Sequence, residues 1–131
     1  MKRIIFIMLA FTLFTACDDS KKESIRTEIK EAIKITNELI GGKQMDYMTV
    51  CDKVEFRNDN VYYYYTFDES YASVEDVRNN INVIKNQTEM TMENNKDAKE
   101  LAEMIAKIDG KFVYTYTGNM SGRSVSFEII P

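Results

Sequence analysis

The sequence predicts an α+β fold: a four-stranded antiparallel sheet made of two β-hairpins, with about three helices packed on one face. Three observations predict it. Residues 49–67 and 111–130 each hold two runs rich in alternating, β-branched and aromatic residues joined by a short polar turn, the pattern of a hairpin. Three other stretches carry apolar residues at helical spacing. The order along the chain, α-ββ-αα-ββ, leaves one face of the sheet and the apolar stripes of the helices to cover each other.

A targeting segment stands ahead of the fold. Lys2 and Arg3 open the chain, residues 4–16 (IIFIMLAFTLFTA) are an unbroken apolar and small run, and Cys17 follows. The run has the length of a secretory apolar region and is too short for a comfortable membrane span. Its end, FTAC, resembles the lipobox of bacterial lipoproteins. Phe14 stands where Leu is usual, a variation that lipoproteins of the Bacteroidota tolerate, and the acidic DDS after Cys17 resembles their surface-export signals. The resemblance implies cleavage before Cys17 and acyl chains such as palmitate on the new first residue. Residues 1–16 are then a signal peptide, residues 17–23 the lipidated Cys and a charged tether, and residues 24–131 a single α+β domain. The expected location is the outer membrane, on its periplasmic face or at the cell surface.

Removing residues 1–16 leaves 115 of the 131 residues, with 15 basic against 21 acidic side chains, a formal charge of −6. That length makes one domain with a real core. The acidic balance disfavours nucleic acid, which is bound by basic patches, and polybasic docking to anionic lipid. Membrane attachment is expected through the lipid on Cys17. With Cys17 lipidated, Cys51 is the only thiol left, so no internal disulfide is expected. Cys51 reads as a small buried core residue.

From Glu23 to Ile40 the pattern is helical, with Ile25, Ile29, Ile33 and Ile40 on one side and Lys30, Lys34 and Glu38 on the other; Gly41 and Gly42 end it. The strands 49–56 and 61–67 flank RNDN. A two-residue turn at Asn58-Asp59 pairs Phe56 with Val61 and Val54 with Tyr63. It groups Val54, Phe56, Val61, Tyr63, Tyr65 and Phe67 on one face, and leaves Lys53, Glu55, Arg57, Tyr62 and Tyr64 on the other. A slip of one residue would invert the faces. Ser73 opens the next helix, with Glu75 and Asp76 in its first turn and a stripe from Val74 to Met92. Asp97 reads as the next N-cap, boxed by Glu100, with Gly110 ending that helix. A four-residue loop in the last hairpin pairs Phe112 with Phe127 and Tyr114 with Val125.

VYYYYT (61–66) and FVYTYT (112–117) align as a short repeat that matches Tyr63 with Tyr114, Tyr65 with Tyr116 and Thr66 with Thr117. Together with Asp46-x-x-Thr49, these Tyr-x-Tyr pairs resemble uncharacterised exported bacterial proteins. That resemblance implies export and no particular activity.

The chain has no His, which removes the usual nucleophilic triads and imidazole metal sites. IGGK (40–43) lacks the spacing of a phosphate loop, and no metal site or cofactor is expected. The adjacent carboxylates Asp68-Glu69 and Glu75-Asp76 sit at a strand end and a helix start, where solvation and the helix dipole account for them. No enzyme is expected. What remains is Tyr62 and Tyr64 on the charged face, between Lys53 and Arg57. Tyrosine offers rigid contact area with a polar tip. The expected role is a lipid-anchored envelope or surface binding module whose partner is an envelope protein. The alternative is a carrier of a small ligand, glycan or lipid, in a cavity between sheet and helices. Against the first stands the plain reading that a helix or the Lys53 and Arg57 stems cover the pair.

Overall fold

The structure, a computed structural model, describes the backbone of residues 2–131 and the side chains of residues 20–131. Cys17, the signal peptide and the start of the tether lie outside the described side chains. Helix α1 (Lys2–Ile40) leads through Gly42, at a φ of 74°, into a two-residue strand β1 (Lys43–Gln44). The hairpin β2 (Thr49–Arg57) and β3 (Asn60–Phe67) follows, then α2 (Val74–Asn79), α3 (Ile81–Asn94) and α4 (Lys96–Lys107), and last the hairpin β4 (Phe112–Gly118) and β5 (Ser124–Ile129).

The sheet is five-stranded and mixed, in the order β1-β2-β3-β4-β5, with β3 and β4 parallel. This corrects the expected four antiparallel strands. The two hairpins are joined by α2, α3 and α4, and this crossover through helices carries the chain back to the end of the sheet where β3 began, so that β4 runs the way β3 does. The aligned repeat is this pairing: Tyr63 lies beside Tyr114, Tyr65 beside Tyr116 and Thr66 beside Thr117. At the strand starts, the Val61 N–H donates to the Lys111 carbonyl (2.9 Å), and the Lys111 N–H donates to Asn60 Oδ1 (3.0 Å). Strand β1 escaped notice because two residues carry no periodicity; its neighbours Lys43↔Cys51 and Gln44↔Val50 define it.

The β2–β3 turn is as expected. Asn58 (φ 53°) and Asp59 (φ 65°) make the two-residue turn, Phe56 pairs with Val61 and Val54 with Tyr63. A bulge at Asp52 shifts the rest of β2 by one residue, which turns Cys51 and Thr49 inward beside Val54. The β4–β5 register is two residues from the expected one: Phe112 pairs with Ile129 and Tyr114 with Phe127. Gly122 takes the positive φ (70°), and the turn closes on a bond from the Gly118 N–H to the Arg123 carbonyl (2.9 Å). An even slip keeps each side chain on its face.

The helical region has one more break than its stripe suggested. Asn80 separates α2 from α3, its side-chain amide donating to the Asp76 carbonyl (2.8 Å), a bond that competes with continued helix. Ser73 caps α2 in a reciprocal box with Asp76. Helix α4 is capped by Asn95, which accepts from the Ala98 N–H (3.0 Å), and not by Asp97, which lies in its first turn. Asp109, and not Gly110, takes the left-handed conformation after α4 (φ 58°). Gly110 is needed for a close approach instead, since a Cβ there would lie 1.9 Å from the Asp59 carbonyl oxygen.

Among the described residues all helices pack on one face of the sheet. Ile29 and Ile33 of α1 and Leu101 and Ile105 of α4 are buried against Cys51, Val54, Val61 and Phe112. A smaller cluster joins Val74 and Val77 of α2 to Phe67 and Val125. Asn37 of α1 grips the edge of β2, donating to the Val54 carbonyl (2.6 Å) and accepting from its N–H (2.7 Å). That occupies backbone groups an edge strand would otherwise leave open.

Candidate functional site

Strand β3 divides its four tyrosines between two environments. On the outer face Tyr62 and Tyr64 lie side by side, ring centroids 6.4 Å apart. The Arg57 guanidinium sits over the Tyr62 ring at 3.8 Å and donates to the Tyr64 hydroxyl (3.0 Å), while the Lys53 ammonium stands 5.0 Å from the Tyr64 ring. Glu55 holds both cations, at 2.8 Å from Lys53 and 3.4 Å from Arg57. The Glu55 carboxyl is held below its usual range, first by the hydrogen bond from Lys53. The structure therefore gathers all four predicted site residues, Lys53, Arg57, Tyr62 and Tyr64, into one patch, with Glu55 at its centre. Both rings are half-buried, and among the described residues the Arg57 and Lys53 side chains, and not a helix, lie over them. Beside Val113, this face carries cross-strand polar pairs: Thr115 with Ser126 (2.9 Å), Thr117 with Ser124 (2.6 Å) and Lys111 with Glu128 (2.8 Å).

On the inner face Tyr63 and Tyr65 continue across the parallel pairing into Tyr114 and Tyr116. Tyr63 stacks on Tyr114 at 4.7 Å, Tyr65 on Tyr116 at 4.9 Å and Tyr114 on Phe127 at 5.0 Å, all within 14° of parallel. The four tyrosine rings form one wall of a cavity of about 510 Å³ between the sheet and the α3–α4 pair. Helix α3 has no fully buried residue, and it turns Ile84, Thr88 and Met92 toward this space. Asp46, Gln87 and Thr91, all exposed, also line it and mark its mouth.

The hydroxyls of Tyr63, Tyr65, Tyr114 and Tyr116 have no hydrogen-bonding partner among the described residues, and none is sealed away from the cavity. Burial raises the pKa of every one. Tyr63 and Tyr116 are pushed up to about 12, and Tyr65 and Tyr114 are raised further. These phenols are neutral donors and acceptors at any physiological pH.

Other candidate groups are structural. Cys51 is fully buried beneath the tyrosine wall, and burial raises its thiol pKa, so it is held as the unreactive thiol. Glu69 accepts from the N–H groups of Met120 (2.9 Å) and Ser121 (2.6 Å), tying the β4–β5 turn to the end of β3. Glu75 pairs with Arg78 and with Arg123 (2.8 Å). Among the described residues no group of three or more Cys, Asp and Glu side chains is placed to hold a metal.

Sequence reasoning assigned Tyr63 and Tyr65 to the core and offered a sheet–helix cavity only as an alternative, without naming the residues that line it. Its one trace was Thr88 in an otherwise apolar helical stripe.

The fold defines a class: an α+β domain with helices on one face of a five-stranded mixed sheet. Two solved structures share it. A protein of Pseudomonas aeruginosa thought to be secreted superposes with a TM-score of 0.66 at 10% identity, covering 84% of this chain and 92% of that one. The pilotin EpsS of the Vibrio vulnificus type 2 secretion system superposes with a TM-score of 0.56 at 9% identity, covering 82% and 92%. No protein-family model and no curated protein matches the sequence.

Proposed function

We propose that this chain is a non-catalytic binding module of the bacterial cell envelope, exported by residues 1–16 and anchored by lipid on Cys17, whose partner is an envelope protein. The observation that carries this reading is the outer face of the sheet, which among the described residues no helix covers and which presents Tyr62 and Tyr64 between Arg57 and Lys53. Tyrosine with arginine is the composition of interface centres. The fold supports it too, since the two structures that share it are a protein thought to be secreted and a secretion-system pilotin. The test is capture of envelope proteins by the lipidated chain and by its Tyr62→Ser/Tyr64→Ser variant. Weaker capture of a specific partner with an unchanged melting temperature is the expected result; a collapse in melting temperature would show the pair to be structural. Palmitate labelling that disappears in Cys17→Ala, together with loss of membrane association, checks the anchor.

A second reading, a carrier of a small ligand, is favoured by the inner cavity. Its volume falls in the range of ligand sites, about 300–1,000 Å³, and four tyrosine hydroxyls reach it without protein partners.

A further inference from the structure

The geometry points to the cavity beneath α3 as the binding site of an uncharged, single-chain amphiphile with a hydroxylated head, a monoacylglycerol type of molecule. This rests on the carrier reading above and adds the chemistry of the ligand.

The walls suit a hydrocarbon chain. Met48, Met92, Ile84 and Leu101 line the space, and the unbranched methionines adapt their shape to a flexible guest. The tyrosine wall suits a hydroxylated head. Each phenol can both donate and accept, and a head that does the same satisfies several of them at once. Leaving buried hydroxyls without partners disfavours a purely apolar guest.

Charge excludes the nearest competitors. Among the described residues no Lys or Arg lines the cavity, so an anionic head would be buried unpaired. Asp46, whose Oδ1 accepts from the N–H groups of Met48 (2.9 Å) and Thr49 (2.8 Å), is the one carboxylate among the described lining residues and stands at the mouth, so a cationic head is disfavoured deeper in, against the tyrosine wall. The phenols stay neutral and supply no counter-charge to a cation. Ring geometry disfavours quaternary ammonium groups and stacked sugars, which use an open aromatic face, because here the rings stack on one another at 4.7–5.0 Å.

The test is equilibrium binding of 1-decanoylglycerol, below its aggregation concentration, to the full chain carrying Cys17→Ala, so that no acyl chain of the protein competes. Decanoate, decyltrimethylammonium and chitobiose are the comparison ligands. Decanoylglycerol should bind at least about tenfold tighter than any of them. Filling the space with Thr88→Phe should abolish binding. Replacing the four inner tyrosines with Phe keeps the rings and should weaken binding about tenfold or more. Equal or tighter binding of a comparison ligand, or unchanged binding by the Phe variant, overturns the assignment. An uncharged apolar dye, 1-aminoanthracene, separates the two levels. If it binds the parent chain and not Thr88→Phe while decanoylglycerol fails, the cavity is a ligand site and only the ligand class falls. If the dye, decanoylglycerol and all the comparison ligands fail, the carrier reading falls as well.

Discussion

Tyr62 and Tyr64 differ from Tyr63 and Tyr65 by one position along the same strand, yet the two pairs live under opposite physical regimes. The outer pair is half-buried under cationic side chains, each hydroxyl has a polar neighbour, and Glu55 offsets one of the two positive charges around it. The inner pair is packed face to face with Tyr114, Tyr116 and Phe127, and its hydroxyls have no protein partner among the described residues. The outer pair is thus bonded within the protein, and the inner cluster is apolar in its rings and open to the cavity at its tips. Stability should reside in the inner rings, and unfilled bonding capacity in their hydroxyls.

The sharpest way to break this contrast is to truncate one tyrosine on each face. Tyr114, 5% exposed, stacks on both Tyr63 and Phe127. Tyr114→Ala should cost roughly 3–5 kcal/mol in denaturant unfolding, as large-to-small core changes do. On a domain of this size that lowers the melting temperature by more than about 10 °C. Tyr64→Ala should cost about 1 kcal/mol or less, because its ring stays half in water and its partners are solvated. Equal losses would erase the difference between the faces.

A smaller effect is expected at the joint that sets the two tyrosine rows side by side. Gly110 packs on the Asp59 carbonyl where β3 and β4 begin. Gly110→Ala forces that contact apart and should cost about 1–3 kcal/mol, the range for overpacking. If the inner stack depends on this register, the variant should also alter the near-ultraviolet dichroism of the tyrosines. A destabilised chain with an unchanged tyrosine signal would show that the stack holds its own register.

How much of this was legible beforehand follows from the range of each interaction. The Asn58-Asp59 turn was readable because its chemistry is local, and it assigned every tyrosine of β3 to the correct face. The pairing of Tyr63 with Tyr114 was present as a repeat, but its parallel sense depends on a crossover through three helices that no short window contains. The break at Asn80 and the cap at Asn95 were obscured because Asn and Asp compete for the same local roles. On the outer face, the grouping of Lys53, Arg57, Tyr62 and Tyr64 followed from alternation alone. The cavity did not follow from anything local, because a gap is a property of how α3 stands off the sheet, and Thr88 was its only mark in the stripe.

Acid should act on the end loops that close the sheet before it acts on the inner stack. Glu69 is held below the ordinary carboxyl pKa first by the N–H of Ser121, as well as by that of Met120. A carboxylate lowered in this way stabilises the fold above its unfolded value, about 4.3, and the contribution disappears as pH falls through the folded value. Glu69→Gln should therefore lower stability slightly at pH 7 and flatten its decline below about pH 4.5. Asp68 and Asp76, lowered by hydrogen bonds with Ser70 and Ser73, keep a residual slope. An acid profile identical to that of the parent chain would mean that the clamp on the β4–β5 turn contributes nothing.

The smallest effect lies on the outer face and decides what kind of surface it is. Arg57 covers Tyr62 at 3.8 Å while bonding the Tyr64 hydroxyl, so the three side chains form one unit. A double-mutant cycle of Arg57→Ala with Tyr62→Leu should give a coupling of about 0.5–1 kcal/mol, the value for an exposed cation over an aromatic ring. If a partner protein docks here, it must either use the arginine where it stands or lift it from the ring. In the first case the coupling measured on partner affinity should match or exceed the coupling measured on stability. In the second it should change sign, because Arg57→Ala then removes an obstacle. No coupling in either measurement would leave the tyrosines as ordinary strand residues and shift the search for function to the cavity on the other face.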